Sequence, residues 1–248
     1  MTFTNRTILI TGGNSGIGQV LAEGLQALGN RVIITGRKQD SLQTVLDRNP
    51  EMAGYVLDVT DDIALSAFPD KVLAAHPDLD TVILNAGIME AEDYTTDPVE
   101  LDIAERTIAT NLVAPIRLAA ALLPHLQSRP EAALITVSSG LAFVPKASNP
   151  VYSATKAAIH SWTQALRHQL RGTKVAVHEI APPLVATELT PGQSKVAAAM
   201  PLRDFTDEVL GIMSRDDVPD EILVSRVGFQ RNAEAEGRYG AAFAAING

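Results

Sequence analysis

Six short apolar runs punctuate the chain, at Thr7–Thr11, Arg31–Thr35, Ala53–Leu57, Thr81–Leu84, Ala133–Val137 and Lys174–Ile180. They are rich in Val and Ile and show little polar alternation, which marks strands buried on both faces. Between them lie segments of helical length. The first of these sets Ile17, Leu21, Gly24, Leu25 and Leu28 on one helical face and stops at Gly29. Strands alternating with helices predict an α/β protein, a parallel sheet with helices on both faces. Right-handed crossovers make it doubly wound, with ligands bound beyond the carboxyl ends of the strands. After about residue 188 the pattern turns helical. The expectation is therefore six strands, with a seventh left open, in a single domain over residues 1–248.

Composition narrows the classes. At 248 residues the chain can bury one full core, and 46% hydrophobic with 20% charged residues reads as globular. A net charge of −9 without any basic run argues against nucleic-acid and anionic-membrane partners. There are no cysteines, so disulfide and thiolate chemistry drop out, and no metal site is assigned. The best apolar stretch, Leu112 to Leu126, is interrupted by Pro115, Arg117, Pro124 and His125, so no membrane span is expected. The first residues lack the pattern of a secretory leader, and a cytoplasmic location is expected.

Candidate chemistry begins where the first run ends. Thr11-Gly12-Gly13-Asn14-Ser15-Gly16-Ile17-Gly18 passes directly into a helix. Glycines allow backbone angles closed to other residues and a close approach to ligand. The helix N-terminus adds free N–H groups and partial positive charge. A plain tight turn would use glycines too, but the strand before and helix after favour a dinucleotide site at Gly12, Asn14, Ser15, Gly16, Ile17 and Gly18. The second run ends at Thr35-Gly36-Arg37-Lys38. An acidic residue there would hold the ribose of NAD. Arg37 instead offers a planar fork for a 2′-phosphate, so NADP is preferred. NAD remains the alternative, with Arg37 a solvated surface charge. Asp58, after the third run, and Asn85-Ala86-Gly87, after the fourth, lie beside the same groove. Each either touches cofactor, as Asp58 would the adenine amino group, or caps a turn.

The reacting end lies further on. Asn149-Pro150 opens a helix on which Tyr152 and Lys156, four residues apart, share a face. A free tyrosine, with a pKa of about 10, exchanges protons poorly near neutrality. A neighbouring ammonium is expected to lower that value and make Tyr152 a general acid/base. The spacing alone also suits a half-exposed surface pair. The fifth run adds Ser138-Ser139-Gly140 at a carboxyl strand end, where a hydroxyl could hold a carbonyl oxygen or simply make a turn.

In this order and spacing, Thr11–Gly18, Asn85-Ala86-Gly87, the serine and Tyr152-x-x-x-Lys156 resemble the short-chain dehydrogenase/reductase family over at least residues 4–190. The resemblance implies a Rossmann-type fold with Tyr152 as general acid/base. It implies that Lys156 lowers the tyrosine pKa and holds the nicotinamide ribose, and that Ser139 orients the reacting oxygen. Asn111 matches the fourth catalytic residue, which holds a water of the proton relay. Asn111 falls within a long helix expected from about Asp97-Pro98 to before Arg129-Pro130. Pro115, four residues on, has no N–H for the Asn111 carbonyl, which either keeps the relay open or marks a packing kink. Ala181-Pro182-Pro183-Leu184-Val185-Ala186-Thr187 departs from the family, with Pro183 for glycine. Pro182, Val185 and Thr187 remain the implied nicotinamide contacts. Together with Ser139–Pro145, the Ala181–Val185 part of this stretch resembles the DltE-like subgroup.

The substrate wall is expected from residues after Gly87, from 140–150 and from 188–205, with a lid over about 188–216. Glu90, Glu92 and Asp93 give one rim an acidic character, read as a solvated loop with a cationic substrate as the alternative. The resemblance further implies a small-molecule carbonyl/alcohol substrate and a homodimer or homotetramer. The alternative from another class is an NAD(P)-binding sensor without turnover.

Overall fold

In a computed structural model, which describes residues 2–248, the apolar runs form one sheet. The elements are β1 (Thr7–Ile10), α1 (Gly16–Ala27), β2 (Arg31–Gly36), α2 (Gln39–Arg48), β3 (Ala53–Val56), α3 (Asp62–Ala75), β4 (Thr81–Leu84), α4 (Asp102–Ile108), α5 (Ala114–Ser128), β5 (Ala132–Val137), α6 (Pro150–Gln169), β6 (Val175–Ile180), α7 (Leu202–Met213), β7 (Glu221–Ile222), α8 (Gly228–Arg231) and α9 (Tyr239–Asn247). The strands run in the order β3-β2-β1-β4-β5-β6-β7, all parallel. The order reverses between β1 and β4, and this opens a crevice beyond their carboxyl ends.

Both faces of the sheet are covered, which is why the strand runs lack alternation. Ile8 and Ile10 enter one core with Leu21 and Leu25 of α1 and Phe205, Val209 and Met213 of α7. Leu9, between them, enters the other with Val72 of α3, Leu118 and Leu122 of α5 and Leu166 of α6. The seventh strand, left open by the sequence, is present. Glu221 and Ile222 pair with Glu179 and Ile180, a run too short to show a period.

The long helix differs from expectation at its start. It begins at Asp102, not at Asp97-Pro98. The chain before it turns on itself, with Asp93 Oδ1 accepting from the Thr95 N–H at 2.9 Å and the Thr95 hydroxyl at 2.6 Å. Between α4 and α5 the helix passes through a π-helical turn at Ala109–Val113. Counted whole, residues 102–128 are long and apolar enough to cross a membrane, with a mean hydropathy of 1.4 over the best window. Here Leu118, Ala119, Leu122 and Leu126 pack into the core beneath the sheet, while the window as a whole is 39% buried.

Candidate active site

Thr11 knits the floor of the crevice. Its hydroxyl accepts from the backbone N–H groups of Asn85 and Ala86, both at 3.0 Å. The Asn85 amide donates to the carbonyls of Thr11 at 2.9 Å and Gly12 at 3.2 Å. Asn85 therefore binds the two strand-end loops together. Gly12 and Gly16 hold φ of 67° and 53°, which favour glycine. A Cβ at Gly12 would lie 3.0 Å from Ala86 Cα, and one at Gly18 would overlap the Gly12 carbonyl. The N-terminus of α1 is thus pressed onto the loop. The exposed Ser15 caps it with no side-chain bond, and Gly16 and Ile17 are half-buried. Free N–H groups beside a side-chain-poor loop fit a pyrophosphate.

At the far end of the crevice, Arg37 is exposed and its charge acts on Asp58. Burial works to raise the Asp58 carboxyl, but bonds from Thr60 N and Oγ1 at 2.9 and 2.7 Å, with Arg37, hold it below its ordinary value. Asp58 thus closes its own turn. Asn14 donates to Ser41 Oγ at 2.8 Å, and Ser41 to the Lys38 carbonyl at 3.0 Å. The Asn14 side chain fills the space a Cβ at Gly36 would take. It braces the loop that carries Arg37 and Lys38.

The four predicted catalytic residues are all buried at the carboxyl side of β4 and β5: Asn111 2% exposed, Lys156 5%, Tyr152 6% and Ser139 8%. Ser139 caps a 3-10 turn, its hydroxyl accepting from the Leu141 N–H at 3.1 Å, and its influence on the Tyr152 phenol is a lowering one. Lys156 Nζ lies 5.6 Å from the Tyr152 ring centroid and donates to the Val137 carbonyl at 2.8 Å. One expectation reverses here. Burial raises the Tyr152 phenol to about 12, and burial lowers Lys156 to about 8. Desolvation outweighs the lowering influence of Ser139 and sets the direction. The Asn111 amide clasps the backbone of Ile88, donating to its carbonyl at 2.8 Å and accepting from its N–H at 2.9 Å. This places Gly87 against the site: a Cβ there would meet Asn111 Oδ1 at 3.3 Å and Lys156 Nζ at 3.7 Å. Asn111 sits in the π-helical turn, where the Ala109 carbonyl pairs five residues on with Ala114 N–H and Pro115 offers Asn111 no N–H.

Opposite the glycine loop, Thr187 Cγ2 approaches the Cβ position of Gly16 to 3.6 Å, so the two sides of the crevice meet there. The Pro182 carbonyl accepts from Gly140 N at 2.8 Å and links this side to the serine loop. Gln193, which the sequence did not single out, donates to the Val185 carbonyl at 2.8 Å and Thr187 Oγ1 at 3.1 Å. Of the expected lid, residues 188–198 are mostly exposed, whereas α7 contributes Phe205, Val209 and Met213 to the core. The C-terminal segment also meets the serine loop, which the sequence did not single out. The Gln230 amide occupies the Cβ space of Gly140, and Asn247 accepts from Ala147 N at 2.5 Å and donates to the Pro145 carbonyl at 3.1 Å. These pairs are about a hundred residues apart and leave no local pattern. The acidic rim is committed elsewhere: Glu90 pairs with Arg106 at 3.0 Å, and Glu92 accepts from Val151 N at 3.2 Å.

The chain belongs to the short-chain dehydrogenase/reductase family of oxidoreductases, whose short chain dehydrogenase model matches residues 6–197. Within it the chain is DltE-like: it is 46% identical over 189 residues to the uncharacterized oxidoreductase DltE of Bacillus subtilis (strain 168), covering 76% of this chain and 75% of that one. In fold it is similar to a short chain dehydrogenase from Burkholderia cenocepacia J2315 in complex with NADP, with a TM-score of 0.84, 24% identity and 99% of each chain covered. It is also similar to a 3-ketoacyl-(acyl-carrier-protein) reductase from Brucella melitensis complexed with NADH, with a TM-score of 0.79, 21% identity, and 90% and 96% of the two chains covered.

Proposed function

We propose that this oxidoreductase interconverts a carbonyl and an alcohol, prefers NADP, and uses Tyr152 as its general acid/base. The observation that carries the reading is the convergence of buried Tyr152, Ser139, Lys156 and Asn111 beside a crevice whose glycines leave room for a pyrophosphate. When bound, the nicotinamide supplies hydride transfer at its C4. Ser139 holds the substrate oxygen, and Tyr152 gives or takes the proton on that oxygen. Lys156 stabilises the phenolate as it forms, and the Asn111 carbonyl anchors water behind it. Ala86, Gly87, Pro182, Val185 and Thr187 line the nicotinamide side. A panel of ketones, aldehydes and alcohols assayed with both cofactors tests this. At least one carbonyl should oxidise NADPH; cofactor binding with no turnover across the panel would favour a sensor.

Cofactor choice rests on Arg37, exposed where a 2′-phosphate would lie. A hydrogen bond to a charged group contributes about 1.5–3 kcal/mol. Arg37→Asp should therefore weaken NADPH binding roughly tenfold or more and leave NADH unharmed, as read by cofactor fluorescence titration. Equal losses for both cofactors would remove Arg37 from the phosphate.

Pro115→Ala would restore an N–H four residues after Asn111 and let the π-helical turn relax to α. Turnover should slow several-fold, with KM little changed and the solvent isotope effect enlarged. An unchanged rate across pH would leave Pro115 as packing only. Residues 188–198, held by Gln193, close over substrate as the lid. The exposed small side chains of α6, Ala154, Ser161 and Ala165, offer a close-packing face for a homodimer or homotetramer.

A further inference from the structure

Behind the catalytic pair lies a carboxylate that the proposed chemistry does not use. Glu179 of β6 is 0% exposed. Its Oε2 lies 2.8 Å from His160 Nδ1, and its Oε1 has no hydrogen-bond partner. The Gln164 amide nitrogen is 3.2 Å from His160 Nε2. As a donor it makes Nε2 the acceptor and leaves the imidazole proton on Nδ1, directed at Glu179.

His160 stands one turn after Lys156 on α6, so the two share a face. Thr136 is the ladder partner of Glu179, and the next residue on β5, Val137, accepts the Lys156 ammonium at 2.8 Å. Carboxylate and ammonium are therefore held on adjacent strands beneath the same stretch of α6. A buried ammonium either finds a counter-charge or gives up its proton. Burial pushes Lys156 down, and the Glu179 charge is what pushes it back up. The Glu179 charge also acts on Arg231, but the cations around this layer have closer partners of their own. Arg231 of α8 donates to both oxygens of Glu221 of β7, at 2.6 and 3.0 Å. Arg167 of α6 donates to the carbonyls of Val177 at 2.7 Å and Asp220 at 2.9 Å.

We propose that Glu179, oriented by His160, is the internal counter-ion that keeps Lys156 an ammonium, and so acts as a positioning residue for the proton step. What the ammonium is for rests on the proposed function; its charge state does not.

The test is the titration of Lys156 itself, followed through its side-chain 13Cε resonance and assigned with Lys156→Arg. Glu179→Gln should lower the midpoint by one pH unit or more, a tenfold loss of proton affinity. Glu179→Asp, which keeps the charge, should stay within half a unit of the parent protein. An unmoved midpoint in Glu179→Gln, or an equal shift in both variants, overturns the proposal. If Glu179→Gln does not fold, the reciprocal measurement decides. Lys156→Met should raise the titration midpoint of the Glu179 13Cδ carboxyl, and a midpoint left in place overturns the coupling. None of these readouts needs turnover, so a failure to find a substrate leaves the test intact. Where turnover is found, the alkaline limb of its pH profile should move to lower pH in Glu179→Gln.

Discussion

Tyr152→Phe is expected to lower turnover by about 10²–10⁴-fold, the range a positioned general acid/base contributes, while NADPH affinity falls by no more than about tenfold. The two numbers separate because the hydroxyl has two tasks of unequal size. As a cofactor contact it would supply one hydrogen bond, of about 0.5–1.5 kcal/mol net. As the proton carrier it has no substitute nearby, since the Ser139 hydroxyl, with its high pKa, is assigned to holding the substrate oxygen and Lys156 donates to Val137. The phenol, raised to about 12 by burial, is fully protonated at neutral pH and stands ready as a donor. Reduction should therefore run without a titration of Tyr152 in the neutral range. Alcohol oxidation, which needs the phenolate, should gain with rising pH until Lys156, lowered to about 8, loses its charge. Stopped-flow measurement of single-turnover rates and of cofactor binding in the same variant reads both effects. Retained turnover in Tyr152→Phe would remove the tyrosine from the chemistry; equal losses of rate and affinity would make it a cofactor ligand only.

Much of this site was legible because it is local. The glycine loop, the Tyr152–Lys156 spacing and Ser139 each lie within one strand end or helix turn, where backbone angle and period constrain residue type. Pro115 announced an irregular helix because a missing N–H is a sequence fact, although its form as a π-helical turn is not. What stayed hidden is long-range. Glu179 reads as one polar residue in an apolar run, and only the ladder with β5 and the packing of α6 bring it under Lys156. Gln230 and Asn247 reach the serine loop across about a hundred residues. The direction of the Tyr152 shift was hidden for another reason: proximity of a charge is visible in a spacing, but the desolvation that opposes it is set by the whole core.

Gly18→Ala is expected to cost about 1–3 kcal/mol of stability, the range for overpacking, and about 10–100-fold in NADPH affinity. A Cβ there has no free volume, because it overlaps the Gly12 carbonyl oxygen and crowds Asn85 Nδ2, the atom that ties the two strand-end loops. Relief requires α1 to lift from the loop. That displaces the N–H groups at its start, and each one lost to a charged phosphate costs about 1.5–3 kcal/mol. Gly172→Ala supplies the control. Gly172 holds φ of 86° with open space around it, so alanine there strains the backbone without touching the crevice. Both variants should lower Tm, by roughly 2–4 °C for each kcal/mol in a chain of this size; only Gly18→Ala should lose the cofactor. If Gly18→Ala melts earlier yet binds NADPH as the parent protein does, the helix N-terminus is not what holds the pyrophosphate. The close contact between α1 and the loop would then be a packing feature of the fold, and the cofactor would have to be held from the Arg37 and Thr187 sides alone.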